Sequence, residues 1–273
     1  MAVVAGGAAD GDRRIDEFEA AGGTRALLHR LAPLLETDRP TVAGRAIGDV
    51  LADYTPPESD VIRPLDDPLA RHPGIVIVQG ALAPDGAVVK RTVAGEGVRR
   101  FTGPAKVFRS REEGLAGIRG GEVEPGQVMV LTGLGLRGAP GMGFTPAFVF
   151  AIEGAGLGGR VAVVTDGQMS GLVNTGLVVA EVSPEGAVGG PIGLVRDGDV
   201  ISIDVDARTI ELDVPERELA GRYADLPAPS APGRVRLAVG LRPHGQLAAQ
   251  GSHPRRLSTP ATAPASGWPG ARP

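Results

Sequence analysis

Apolar residues along the chain fall into short runs separated by glycine, proline and aspartate. Continuous apolar runs at residues 128–131 and 161–164 predict buried strands, and the run at residues 75–78 predicts a further short strand. Residues 200–205 and 209–214 alternate apolar and polar side chains around an Asp-Ala turn, which predicts a β-hairpin. Short strands of this kind with a few helices between them favour an α/β fold.

Two stretches carry helical signals. One helix is predicted within residues 16–35, where Pro33 should bend or end it. A second starts at Ser110, whose spacing from Glu113 is that of a capping box, and runs to about Ile118. Two glycines inside it each cost up to about 1 kcal/mol relative to alanine, so packing must hold this helix.

Changes in composition divide the chain. Residues 1–12 and 223–273 are predicted to be disordered, because they are rich in small or polar residues and have no sustained period. A shifted reading frame in GC-rich DNA would give the composition of the second segment. Residues 54–70 are rich in proline, aspartate and serine, which is typical of a linker. After the linker, residues 71–222 form the main domain, with a turn predicted at residues 83–86.

The composition excludes several classes of function. A net charge of −4 gives no basic surface for nucleic acid. No run approaches the roughly 18 apolar residues of a membrane helix, and the N-terminus lacks the pattern of a signal peptide, so we expect a cytoplasmic protein without a membrane segment. The chain has no cysteine, which excludes disulfides, thiolate catalysis and cysteine ligands for zinc or an iron–sulfur cluster. Its four histidines are scattered without the spacing of a metal site.

One polar turn is a candidate site. Residues 166–171, Asp-Gly-Gln-Met-Ser-Gly, follow an apolar run, so the turn would display Ser170 at the end of a strand. A Ser-Gly pair most often only forms a turn, and an Asp166 followed by Gly167 most often accepts backbone N–H groups. Residues 132–142 form a second, glycine-rich loop, which lacks the Gly-Lys-Ser/Thr of a P-loop.

Several runs of this sequence are similar, in order and spacing, to the C-terminal part of the dihydroxy-acid and 6-phosphogluconate dehydratase family. They are GALAPDGAVVK, TGLGLRGAPGM, TDGQMSG, EVSPEGAVGGPIGLVRDGD and ISIDVDARTIEL. The resemblance covers about residues 13–222. It implies a swivelling, β-barrel-like β/α domain at residues 71–222, preceded at residues 13–53 by a helical remnant of the family's N-terminal domain.

The resemblance also implies an activity. Members of the family are hydro-lyases that convert a 2,3-dihydroxy acid into a 2-oxo acid and water, with an iron–sulfur cluster and Mg²⁺ as cofactors. By position, Ser170 would be the base that removes the C2 proton, and Asp166, Gly167 and Gly171 would lie in the same substrate loop. The matching residues of the glycine-rich loop are Gly138, Pro140, Gly141 and Met142.

Three departures from the family pattern bear on activity. The family's cluster is held by cysteines of the N-terminal domain, and this chain has none. The family's magnesium-binding glutamate is replaced by Phe144, which offers no oxygen donor. Gln168 stands where the family commonly has arginine. We therefore expect no metal site in this chain and no activity without a separate, cluster-bearing half.

Two hypotheses follow from the sequence. In the first, the chain is the C-terminal half of a dehydratase that acts on a small hydroxy acid together with a separate N-terminal half. In the second, it is a noncatalytic remnant or a module that binds small acids or proteins. Either hypothesis allows a homodimer, and both predict an exposed apolar face where the missing domain would pack.

Overall fold

A computed structural model of the chain describes residues 13–91, 97–139, 145–171, 173 and 175–224. All of them belong to one compact unit. Residues 1–12 and 225–273, which include nearly all of the sequence predicted to be disordered, lie outside the described residues.

Eight strands of the described residues close into a barrel. They are β1 (Ile75–Gly80), β2 (Ala83–Lys90), β3 (Arg100–Phe108), β4 (Val128–Leu131), β5 (Ala162–Thr165), β6 (Leu177–Ser183), β7 (Val200–Asp204) and β8 (Thr209–Asp213). Around the barrel they follow the order β1-β2-β6-β5-β4-β3-β7-β8, and β8 returns to β1. The predicted barrel-like α/β fold is confirmed, as are the strands at residues 75–78, 128–131 and 161–164 and the β7–β8 hairpin. β4 and β5 are buried throughout, whereas alternate side chains of β1 are exposed.

Four neighbouring strands of the barrel run parallel. β3 pairs with β4, β4 with β5 and β5 with β6 in parallel register, whereas β1–β2, β2–β6, β3–β7 and β7–β8 are antiparallel. Parallel neighbours end at the same edge of a sheet. The loops that follow β4, β5 and β6 therefore meet at one end of the barrel.

The parallel strands supply two apolar cores at once. Inside the barrel lie fully buried side chains such as Val130, Val164 and Ile201. The alternate residues, including Met129 and Val163, point outward into a second core between the barrel and its helices. Because successive residues of a strand face opposite sides, both faces of β4 and β5 are buried, which explains their continuous apolar runs.

Six α-helices accompany the strands in the described residues. They are α1 (Ile15–Ala20), α2 (Gly23–Leu31), α3 (Ile47–Ala52), α4 (Arg111–Arg119), α5 (Thr145–Gly154) and α6 (Glu216–Ala224). The helix predicted near the N-terminus is divided into α1 and α2 at Gly22, whose φ of +95° is left-handed. α2 ends at Leu31, and Pro33 lies in the 3-10 turn that follows.

The start of α4 uses half of the predicted capping box. The Ser110 hydroxyl accepts the N–H of Glu113 at 3.2 Å, as predicted. The Glu113 carboxylate accepts the N–H of Arg109 at 3.0 Å. The second bond of the box is therefore made one residue earlier in the chain than the motif implies.

The prediction of a turn at residues 83–86 is wrong. The chain reverses at residues 81–82, Gly80 pairs with Ala83, and residues 83–86 belong to β2. Leu82 and Ala83 are completely buried in the barrel. Burial of these two side chains outweighs the local preference of Pro-Asp-Gly for a turn.

The segment before the barrel packs on itself. Val61 and Ile62, which lie in the predicted linker, are buried against Ala21 and Ala26 of the N-terminal helical region. The Tyr54 hydroxyl donates to the carbonyl of Gly22 at 3.3 Å. None of the helices in the described part of the chain is long and apolar enough to cross a membrane.

Candidate active site

A buried carboxylate joins three loops at one end of the barrel. Asp166 follows β5 and is only 4% exposed. One carboxylate oxygen accepts the N–H of Leu134 at 2.8 Å, and the other accepts those of Gly133 and Gly186 at 2.9 Å each. Gly133 and Leu134 follow β4, whereas Gly186 follows β6. Asp166 thus binds backbone N–H groups, as its Asp-Gly context predicted, and brings distant segments of the sequence together.

The loop that carries Ser170 runs from this anchor along the outside of the barrel. The carbonyl of Gln168 accepts the hydroxyl of Thr145 on α5 at 2.7 Å, and the carbonyl of Gly171 accepts the Lys90 ammonium at 2.8 Å. Ser170 itself is half-buried, and its carbonyl accepts the N–H of Val173 at 3.1 Å. Neighbouring elements therefore hold the turn on both sides of the serine.

A β-bulge turns an acidic side chain toward the same loop. Glu181 of β6 has a φ of +56°, and the register between β2 and β6 shifts around it. Its N–H donates to the carbonyl of Gly167 at 2.9 Å, and its carboxylate accepts the N–H of Met169 at the long distance of 3.5 Å. Left-handed backbone is unfavourable for glutamate, and bulges commonly redirect side chains beside functional sites.

Glu185 provides a second acidic group at the same end of the barrel. Burial raises the pKa of its carboxyl, and the charge of nearby Asp166 adds to the rise, although the N–H of Arg137 at 2.7 Å opposes it. A Cβ at Gly135 would lie 1.7 Å from the other Glu185 oxygen, so only glycine fits there. Glu185 therefore holds the glycine-rich loop in place.

The structure brings some of the predicted site residues together. Asp166, Gly167, Ser170 and Gly171 lie in one loop beside the glycine-rich loop. Gly138 is exposed in that second loop, which folds so tightly that a Cβ there would lie 2.4 Å from the carbonyl oxygen of Gly133. The remaining predicted residues lie outside the described residues: Pro140, Gly141, Met142 and Phe144.

Exposed apolar side chains flank the candidate site. Leu136 in the glycine-rich loop is 63% exposed, and Val188 after β6 is 44% exposed. Both belong to loops that Asp166 and Glu185 hold in place. On the outward face of β1, Ile75 and Ile77 are exposed as well.

The described residues do not form a metal or cluster site by themselves. The chain has no cysteine, and in the described ranges no three His, Asp or Glu side chains converge in a way that could hold a metal ion. Both oxygens of Asp166 already accept backbone N–H groups. An iron–sulfur cluster or a fully ligated Mg²⁺ would need ligands in addition to these residues.

Comparison with known proteins places these loops in one protein family. The sequence profile of the dihydroxy-acid/6-phosphogluconate dehydratase C-terminal family matches residues 60–251, more than half of the chain. The chain belongs to this family. The match continues beyond residue 222, where the resemblance legible in the sequence ends.

Individual dehydratases agree with the family assignment. The chain is 41% identical over 221 residues to a dihydroxy-acid dehydratase of Moorella thermoacetica, covering 80% of this chain and 40% of that protein. It is 43% identical over 210 residues to that of Ignicoccus hospitalis, covering 76% and 38%. With that of Methanothrix thermoacetophila the identity is 42% over 233 residues, covering 84% and 42%. The chain spans about two fifths of the length of these relatives.

Reasoning from the sequence missed three side chains around the Ser170 loop. Lys90, Thr145 and Glu181 all contact its backbone. Lys90 and Thr145 are 81 and 23 residues away from their partners in the chain, and no local period connects them. The run GALAPDGAVVK, which ends at Lys90, was the one available signal, because it belongs to the family resemblance.

Proposed function

We propose that this chain is the C-terminal portion of a hydro-lyase that converts a 2,3-dihydroxy acid into a 2-oxo acid and water. The observation that carries the proposal is the Asp166 carboxylate, which joins the Ser170 loop to the glycine-rich loop and to the turn at Gly186. All three segments belong to the family resemblance, and they lie far apart in the sequence. Their convergence at one end of the barrel supports a shared site there.

In the proposed reaction, Ser170 removes the proton from C2 of the substrate. The electron pair of the broken C–H bond forms the C2–C3 double bond as the C3 hydroxyl departs, and the hydroxyl leaves as water once protonated. The resulting enol tautomerises to the 2-oxo acid. A neutral serine hydroxyl is a very weak base, so this role requires positive charge near its oxygen.

The departing hydroxide needs assistance that the described residues do not supply. We propose that the iron–sulfur cluster and Mg²⁺ expected for the family are held by a cysteine-bearing portion outside this sequence, either continuous with it or on a separate chain. The exposed Leu136 and Val188 beside the site support a covering partner, because loop tips of this kind are usually polar.

The proposal is tested by reconstitution. The purified chain is combined with the portion of the Moorella thermoacetica dihydroxy-acid dehydratase that this chain does not match, reconstituted with iron–sulfur cluster and Mg²⁺, both as a mixture and as a covalent fusion. Formation of 2-oxo acid is followed with 2,3-dihydroxyisovalerate and a panel of sugar acids. We expect product only when both portions are present, and loss of at least about 100-fold in rate for Ser170→Ala.

Ser202→Ala is the matched control. Ser202 lies on β7 and accepts the Thr102 hydroxyl at 3.1 Å, away from the candidate site, so the same chemical change there should leave the rate nearly intact. Equal losses for both variants would contradict a role for Ser170 in the reaction.

The alternative is a noncatalytic module, and the absence of cysteine favours it for the chain on its own. It predicts no 2-oxo acid from the mixture or the fusion, although both are folded and carry cluster. Binding of the same hydroxy acids to the chain, measured by calorimetry, would then distinguish a small-acid binding module from a protein-binding one.

A further inference from the structure

Lys90 brings a positive charge to the turn that carries Ser170. It is the last residue of β2, and its Nζ donates to the carbonyl oxygen of Gly171 at 2.8 Å. Gly171 is the residue directly after Ser170. β2 pairs with β6, which in turn pairs with β5, so the lysine reaches across β6 to the loop that follows β5.

A carbonyl group does not cancel the charge of its lysine partner. In the Arg222–Asp199 pair of this protein, by contrast, a cation and an anion neutralise each other. An ammonium hydrogen-bonded to a neutral backbone oxygen keeps its full charge, and that charge acts on neighbouring groups. This positive charge would stabilise an ionised Ser170 hydroxyl.

Three acidic groups lie on the Ser170 loop or near its Asp166 anchor. Asp166 lies on the turn itself, Glu181 reaches it from β6, and Glu185 follows β6. All three oppose a negative charge on Ser170. Lys90 also lines a cavity of about 150 Å³ near the end of β2, together with other basic side chains: His72, Arg91 and Arg99. Arg91 and Arg99 both face Asp206 at 3.5 Å, so their charge is partly balanced.

We infer that Lys90 is a positioning residue for Ser170: its ammonium holds the Gly171 carbonyl, and its charge, which no carboxylate of the described residues pairs with, favours the ionised form of a base at position 170. The inference deepens the proposed function and rests on it for the role of Ser170. It answers the main chemical objection to a serine base, which is the need for a nearby cation.

The charge effect can be measured without substrate or partner. Because the chain has no cysteine, Ser170→Cys introduces a single thiol whose pKa reports the electrostatic environment of that position. The rate of alkylation by iodoacetamide from pH 6 to 10 gives this pKa. In the same background, Lys90→Gln can keep the hydrogen bond to Gly171 without the charge, and Lys90→Arg keeps the charge.

We expect Lys90→Gln to raise the thiol pKa by about half a unit and to slow alkylation at pH 7 by about threefold, whereas Lys90→Arg leaves both nearly unchanged. Lys106→Met is the control for net charge, because Lys106 is the other lysine of the sequence and pairs with Glu122 and Asp197 on β3's side of the barrel. It should not move the thiol pKa. An unchanged pKa in Lys90→Gln, or an equal shift in Lys106→Met, would overturn the inference.

A second measurement separates this inference from the proposed function. In the reconstituted enzyme, Lys90→Gln should move the rising limb of the kcat–pH profile to higher pH with little change in KM, and Lys90→Arg should restore it. A thiol shift without any dehydratase activity would refute the proposed function and leave the charge effect of Lys90 in place. Dehydratase activity with an unchanged thiol pKa and an unchanged kcat–pH profile would refute the inference about Lys90 and leave the proposed function in place.

Discussion

The Asp166 carboxylate accepts the N–H of Gly186 at 2.9 Å and thereby links the loop after β5 to the turn after β6. The same carboxylate accepts two N–H groups of the glycine-rich loop. One side chain thus satisfies three backbone donors that would otherwise lie in a water-poor site. The relative positions of these three loops therefore depend strongly on Asp166.

Replacing Asp166 should therefore destabilise the protein strongly. Asp166→Ala leaves three backbone N–H groups without their acceptor, at about 1 kcal/mol or more each, so we expect the free energy of unfolding to fall by about 3 kcal/mol or more. Asp166→Asn keeps one acceptor oxygen and should lose less. Urea denaturation measures both, with the exposed Asp85→Ala expected to change stability by less than about 0.5 kcal/mol. A loss no greater than that of Asp85→Ala would contradict this role.

Arg222 on α6 holds the end of the domain against the barrel. Its side chain is 6% exposed, forms a bidentate pair with Asp199 and also donates to the carbonyl of Leu194 at 3.0 Å. Arg222→Met leaves the Asp199 carboxylate, whose side chain is 10% exposed, with the Arg196 N–H but without its cation, so we expect a loss of about 3 kcal/mol in the free energy of unfolding. Arg217→Met on the exposed side of the same helix is the matched control and should be nearly neutral. Similar losses in both would show that α6 contributes through packing alone.

The Asp199 pair also predicts acid sensitivity. Burial alone would raise the pKa of Asp199, but hydrogen bonds from the Arg222 side chain and the Arg196 N–H outweigh burial and lower it. A carboxyl with a lowered folded pKa stabilises the protein above its unfolded pKa of 3.8, and this stabilisation is lost as the pH falls further through the folded value. Denaturation curves between pH 5 and 2 should show this loss in the parent and a shallower dependence in Asp199→Asn.

Glu185 should give the opposite dependence of stability on pH. Its pKa is raised in the folded state, mainly by burial, so the folded protein holds the proton more tightly than the unfolded chain. Stability then decreases as the pH rises from the unfolded pKa through the folded value. Glu185→Gln removes the ionisation while its amide oxygen can still accept the Arg137 N–H, so we expect higher stability than the parent at pH 7. The difference should shrink toward pH 4, and an advantage that instead grew on acidification would contradict the assignment.

Two helical glycines should respond oppositely to alanine. In α4, a Cβ at Gly117 would lie 2.4 Å from the Phe108 ring, so Gly117→Ala should cost about 1–3 kcal/mol through overpacking. At the end of α5, a Cβ at Gly154 would meet nothing within 4 Å, and Gly154→Ala should be neutral or gain up to about 1 kcal/mol. Thermal unfolding of the two variants gives the comparison. A stabilised Gly117→Ala would show that Phe108 can move at no cost.

The fold was predictable where the chain carries a strong local pattern. The β7–β8 hairpin alternates around its turn, and β4 and β5 are continuous apolar runs because both of their faces are buried. Several elements were not predicted, among them β3, β6, α3, α5 and α6. β3 contains Gly103 and Pro104, which normally argue against a strand. A Cβ at Gly103 would lie 2.0 Å from the carbonyl oxygen of Gly126, so close backbone packing is the reason for this glycine.

The candidate site was only partly predictable, because its residues come from distant parts of the chain. The polar turn with Ser170 follows β5 directly, so its position at the end of a strand was visible in the sequence. Its neighbours Lys90, Thr145 and Glu181 come from β2, α5 and a bulge in β6. A bulge depends on the register of two paired strands, and a period along one strand does not carry that information.

The sequence by itself determined the type of the main strands, the family and the polar turn, because side-chain periodicity and motif spacing are local properties of the chain. Tertiary structure alone decided that eight strands close into a barrel, that Asp166 serves three backbone N–H groups, and that Lys90 reaches the residue after Ser170. Each of these depends on contacts between residues far apart in the chain. Such contacts form only when the buried faces of all strands pack together. No single segment of the sequence determines how the whole core packs.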